Sequence, residues 1–276
     1  MALMSHERLN DNLSRMLGEL DEYYKKEGIN VDDVQIAAAE NLASGVFLSH
    51  STSSENFAKV CDSGLLLSPS RLDEEGIKPL ADTAVERTLG TEGSVFLYAT
   101  SFFFPNSGCG LLFRRSIEGE YSGGSATPFD SGGLVNIFDR PNNESPRAFF
   151  DDHKLPLSGY RDYLGKALSG MWSSPVDYLT GEEPEYAGPI GLSGGDFRRC
   201  AYEVRLGDEL PVRNCRLQAV FLPKSLALVP DVESYVNWCL VEGFDVEFVD
   251  AKGRNDHSQL KKSCVKYLQK QLLLTS

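Results

Sequence analysis

Two groups of residues in this chain have the types and spacing for chemistry. The first is His50-Ser51-Thr52, at the end of an apolar run that begins at Val46. Side chains alternate along a strand, so His50 and Thr52 share a face and can reach one bound molecule. A short helix stopped by Gly64 is expected next, and its start near Ser54 would aim free backbone N–H groups at a phosphate. The second is Glu203, a carboxylate amid apolar neighbours in the strand-like run 197–206, a position from which it could project into a cleft. An outward-facing strand carboxylate is the plainer role for such a residue, as a satisfied structural group is for His50. His6, His153 and His257 have no comparable context and are assigned that plainer role.

These residues need elements to position them. Leu9, Leu13, Met16, Leu17, Leu20 and Tyr24 recur at helical spacing and predict a helix over 7–27, ended by Gly28. A second helix is expected over 31–42, then a strand over 45–50. A helix around 80–88 precedes a strongly β-prone run at 93–105, and a strand restarts at 110–113. Residues 118–146, rich in Gly, Ser, Pro and Asn, read as a long surface loop. Helical signals fill 147–172, and a second loop covers 173–195. Strands are expected at 197–206, 217–223 and 244–249, with helices at 232–241 and 259–274. This order implies an α+β fold with an antiparallel or mixed sheet.

The chain's 276 residues are 41% hydrophobic and 24% charged, which suits one large folded domain with extensions. No apolar run reaches the ~18–20 residues needed to span a bilayer, and the start lacks a signal-peptide pattern, so a cytoplasmic location and no membrane partner are expected. The six cysteines are scattered without metal-ligand spacing, which predicts buried free thiols and no metal site. A net charge of −13 opposes non-specific binding to nucleic acid. Arg114-Arg115 and Arg198-Arg199 are the pairs from which a local basic groove could be built.

Taken in order, His50-Ser51-Thr52 with Gly64-Leu65, the aromatic strand around residues 96–104, and Glu203 resemble the ADP-ribosyltransferase superfamily, in its branch with a His-Tyr-Glu type of signature. The nearest likeness is to DarT-type ADP-ribosyltransferase toxins, through Phe102-Phe103-Phe104-Pro105-Asn106-Ser107 and through Ala201-Tyr202-Glu203-Val204 with Leu210-Pro211. The chain departs from that pattern at Tyr202, which separates Ala201 from Glu203, and at Asn106, where those toxins hold a basic residue. The resemblance implies a split mixed or antiparallel sheet over residues 45–225, while the helical N-terminal extension over 1–44 and the helix-strand-helix extension over 226–276, read from the sequence, have no counterpart in the family. It implies transfer of ADP-ribose from NAD to a macromolecule (DNA, RNA or protein), with Glu203 as catalytic acid. His50, Ser51, Thr52 and Gly64 would contact NAD, Tyr98 or Phe103 would stack on nicotinamide, and Arg71 or Arg87 would meet the pyrophosphate or ribose. A role as toxin, effector or anti-phage factor follows by analogy, with an inhibitor or antitoxin, or self-association through the N-terminal helix, as further partners.

Two rival readings stand beside it. Asp130-Ser131-Gly132-Gly133 matches the core of the trypsin-like nucleophile segment, which would make Ser131 the nucleophile of a serine hydrolase. The flanking residues of that family are missing, and a glycine-rich turn is the plainer reading. The other is a non-catalytic binding protein on the same fold.

Overall fold

The computed structural model describes residues 5–77, 83–102, 104, 106–121, 123–253 and 255–273. Helix α1 (His6–Glu27) starts under a Ser5 N-cap and ends on left-handed Gly28. A capping box between Asp32 and Gln35 opens α2 (Asp33–Gly45). Strand β1 (Leu48–Thr52) leads through the Ser53 N-cap into α3 (Ser54–Ser63). Gly64, at φ +73°, ends α3 in the left-handed region that favours glycine, and its carbonyl accepts the Val212 N–H. Then come β2 (Leu65–Leu67), α4 (Pro69–Glu74), α5 (Thr83–Leu89), β3 (Phe96–Tyr98) and β4 (Cys109–Phe113).

The segment expected to be a surface loop over 118–146 is instead structured and partly buried. It carries β5 (Ser125–Thr127) in the main sheet and α6 (Ser131–Asn136), with Phe129, Asp130 and Ser131 all buried. Next are α7 (Pro146–Asp152), β6 (Leu155–Pro156), α8 (Tyr160–Met171) and α9 (Pro175–Thr180), the last inside the other expected loop. The chain continues through β7 (Glu203–Arg205), β8 (Glu209–Pro211), β9 (Leu217–Pro223), α10 (Pro230–Val241), β10 (Asp245–Val249) and α11 (His257–Gln271).

Two expected strands are much shorter than their composition suggests. At 197–206 only β7 is strand, because the Asp196 side chain accepts the Arg198 N–H and opens a 3-10 turn over Phe197–Cys200. At 93–105 only β3 is strand. Beyond it Ser101 donates to the Leu179 carbonyl, and Phe102 packs on Phe221, over Gly110. A Cβ at residue 110 would lie 2.1 Å from the buried Phe102 ring, so any larger residue there has to push that ring aside. Phe103 and residues 78–82, part of the helix expected at 80–88, lie outside the described residues.

Eight strands form one sheet in the order β10-β9-β4-β1-β3-β7-β5-β6, and β2 pairs separately with β8. The β9–β10 pair is parallel and the other ladders are antiparallel, so the sheet is mixed and the architecture is α+β. The C-terminal residues do more than pack on the core, since β10 forms an edge of the sheet. A continuous apolar core runs from Leu20 and Leu42 through Leu48, Leu97, Leu111 and Val204 to Leu268. A smaller cluster of Leu89, Phe129, Leu134, Phe138, Phe149, Phe150 and Leu192 lies apart from it. Among the described residues no helix is long and apolar enough to cross a membrane.

Candidate functional site

Strand register sets a line of polar side chains across the middle of the sheet. Ser49 on β1 is opposite Tyr98 on β3, Tyr98 is opposite Glu203 on β7, and Glu203 is opposite Thr127 on β5. Residues directly opposite one another across a ladder are close enough for their side chains to interact. Glu203 is 1% exposed. Its Oε1 accepts from Arg205 Nη1 at 2.5 Å, and the same guanidinium nitrogen lies 3.0 Å from Thr127 Oγ1. Its Oε2 accepts the Ser131 N–H at 3.0 Å and the Ser131 hydroxyl at 2.9 Å, with the Tyr98 hydroxyl 3.2 Å away.

Ser131 reaches the carboxylate because Asp130 is the N-cap of α6. The Asp130 side chain accepts the Gly133 N–H at 3.0 Å, which leaves the Ser131 N–H, at the first position of the helix, pointing outward to Glu203. Asp130 is itself held by Tyr98, whose hydroxyl is 3.0 Å from Oδ1, and by Arg198, with a nitrogen 3.8 Å from Oδ2. Tyr98 lies within donating distance of both carboxylates and can serve only one of them at a time. Burial raises the Asp130 pKa and the Glu203 charge raises it further, while Arg198 and the hydrogen bonds from Tyr98 and the Gly133 N–H offset part of the rise. Burial, then the Asp130 and Glu203 charges, hold the Tyr98 hydroxyl well above its ordinary pKa, so it stays a donor. Glu86 belongs to the same acidic group. It is buried, is bonded to the Thr91 hydroxyl, and is pushed up to about 8 by burial and then by the Glu203 charge.

The remaining expected site residues are distributed around this cluster. The β1 residue in line with Tyr98 and Glu203 is Ser49, and alternation turns His50 and Thr52 to the opposite side of β1. His50 and Thr52 therefore share a face, as expected, but it is not the one Ser49 presents to Tyr98. The His50 Nδ1 lies 3.0 Å from the Phe96 carbonyl, and burial lowers the pKa of the ring, an effect that bond partly offsets. Ser51 Oγ accepts from Ser107 Oγ at 3.1 Å, and the Thr52 carbonyl accepts the Gly108 N–H. Gly64 ends a helix. Arg71 pairs with Glu74, and Arg87, 63% exposed in its side chain, pairs with Asp73. Tyr98 is 6% exposed, with its ring edge-on to Phe104 at 5.1 Å.

The serine-hydrolase reading loses its base. Ser131 is fully buried and donates to Glu203, while among the described residues His50 and His153 are bonded to the Phe96 and Phe149 carbonyls. The Asp-Ser-Gly-Gly segment is a helix cap. The basic groove also fails to form from the Arg pairs. Arg198 binds Asp196 and Arg199 binds Glu183, while Arg114 and Arg115 bind Gln218 and the Ser44 carbonyl. Five cysteines are buried free thiols, whereas Cys215 is exposed. A groove of about 970 Å3 between α1, α2 and α8, lined by Tyr24, Ile36, Glu40, Arg115 and Lys166, shares none of the Glu203 cluster.

No protein-family model matches the chain. No curated protein matches it either. Among solved structures, the chain is similar to Thermosipho africanus DarTG in complex with ADP-ribose. The TM-score is 0.43 and the identity 10%, over 73% of this chain and 49% of that one. The match thus spans about half the length of that protein, and a likeness at this level assigns no residue of the site.

Sequence reasoning missed Arg205, Thr127, Asp130 and Glu86 as members of the cluster. Arg205 was within reach of it, because residues two apart on a strand share a face. Thr127 and Glu86 carry no local signal, since only the sheet order brings them near residue 203.

Proposed function

We propose that this chain transfers ADP-ribose from NAD to a macromolecular acceptor, with Glu203 as the catalytic carboxylate. The observation that carries the reading is the Tyr98–Glu203 contact across β3 and β7, with the His50-Ser51-Thr52 strand as the next neighbour. Breaking the bond between nicotinamide and ribose develops positive charge on the sugar, as in glycoside cleavage. In this proposal Glu203 faces that charge and takes the proton of the incoming nucleophile. Tyr98 fixes the carboxylate and walls the nicotinamide end. Of the β1 residues, Ser51 shares the Ser49 side of the strand with Tyr98 and Glu203 and contacts NAD there, whereas His50 and Thr52 face the other side of the sheet and take no part in this arrangement. The paired state of Arg198 and Arg199 and the net charge of −13 favour a protein over a nucleic acid as acceptor. A role in toxicity or defence, with an inhibitor protein, belongs to the same proposal.

One observation favours a second reading, a non-catalytic protein on this fold. Both Glu203 oxygens already have donors, as in a structural ion pair. Incubation with NAD labelled in the adenylate, in a lysate, separates the two. The transferase reading expects label on a macromolecule, removed by protease or by nuclease according to acceptor, and a loss of about 100-fold or more in Glu203→Gln. Equal labelling by wild type and variant, or none by either, refutes it.

A further inference from the structure

We propose that the Asp130–Ser131 turn is a latch that occupies the catalytic carboxylate in place of substrate, so that the form described above is the closed state of the site. The inference rests on the transferase reading. An ionised carboxylate offers about four lone-pair positions. Here Arg205 takes one position on Oε1, and Ser131 brings both its N–H and its O–H to Oε2, beside Tyr98. A ribose hydroxyl can bond Oε2 only where the Ser131 hydroxyl now sits, because both are O–H donors seeking the same lone pairs. Ser131 is 0% exposed and Glu203 1%, so the acid is closed to solvent while this turn is in place.

The turn is built to be held from outside the sheet. Its Asp130 N–H donates to the Arg198 carbonyl at 2.9 Å, and the Arg198 guanidinium approaches Asp130 Oδ2. Both the turn and Arg198 lie on the excursion between β5 and β7, whereas Tyr98, Glu203, Arg205 and Thr127 lie on sheet strands. Withdrawal of the turn therefore frees two donors from Oε2 and leaves the strand-borne contacts of the acid in place. A latch closed most of the time lowers apparent affinity by the fraction of molecules that are open.

The test is NAD binding by calorimetry to wild type, Ser131→Ala and Arg198→Ala. Ser131→Ala deletes the competing hydroxyl and keeps the N–H. It is expected to bind NAD about tenfold more tightly, the worth of one hydrogen bond to a charged group. Arg198→Ala, which leaves the carboxylate's own contacts intact, is expected to shift affinity in the same direction and covers the case in which Ser131→Ala does not fold. Wild type that binds NAD while both folded variants bind equally or more weakly overturns the latch and leaves the transferase reading standing. No NAD bound by any form overturns both.

Discussion

Replacing Arg205 with methionine isolates the pair at the centre of the site. Arg205 is 2% exposed and donates from one nitrogen to both Glu203 and Thr127, with its guanidinium 4.6 Å from the centre of the Phe150 ring. Methionine keeps the apolar contact with Phe150 and removes the charge. Glu203 is then a buried carboxylate beside Asp130 and Glu86 with no cation at 2.5 Å. Breaking a buried pair on one side costs about 3–5 kcal/mol, because the remaining charge is uncompensated. Adding Glu203→Gln removes that charge, so the double variant should be more stable than Arg205→Met alone by about 2 kcal/mol or more. Equilibrium urea unfolding at pH 7, with unchanged m, measures all four corners of the cycle. If the two substitutions add to within about 0.5 kcal/mol, the pair is not coupled and the electrostatic account of the cluster is wrong.

Two further outcomes follow from the same geometry. Glu86 has its pKa raised to about 8 in the folded protein, above its unfolded value, so the stability it contributes is fully present below about pH 4 and is lost as pH rises toward 8. Urea midpoints across this window should therefore fall less steeply in Glu86→Gln than in wild type, and parallel curves would contradict the assignment. A fluorophosphonate probe should leave Ser131 unlabelled by intact mass, since that hydroxyl is buried against Glu203. An adduct lost in Ser131→Ala would restore the hydrolase reading.

Helix limits were legible where glycine sets a local stop. Gly28 and Gly64 end the helices expected to stop there, whereas the Ser5 cap and the Asp32–Gln35 box were seen only in the structure. The α+β class followed from the order of elements. The β-prone runs misled because composition reports a pleated, half-buried surface and not its length. Phe102 satisfies an aromatic β pattern, yet it leaves the strand to cover Gly110. Residues 118–146 carry loop composition because they supply caps and glycine turns, but β5 within them completes the neighbourhood of Glu203. The carboxylate and the tyrosine (with Phe103 as its alternative) were named through the family resemblance, and the fold brings the two into contact. The serine was singled out for a different chemistry, and only the fold shows that both rival motifs meet at one carboxylate.

The chain leaves β5 at Thr127, touches the sheet again only at the short edge strand β6, and reaches β7 at Glu203, and Thr127 and Glu203 are partners in a single ladder. Four α-helices lie between them, and the entropy of closing so long a circuit grows only with the logarithm of its length. A chain nicked inside the circuit would lose the tether that brings Glu203 home, even though every strand of the sheet would still be present.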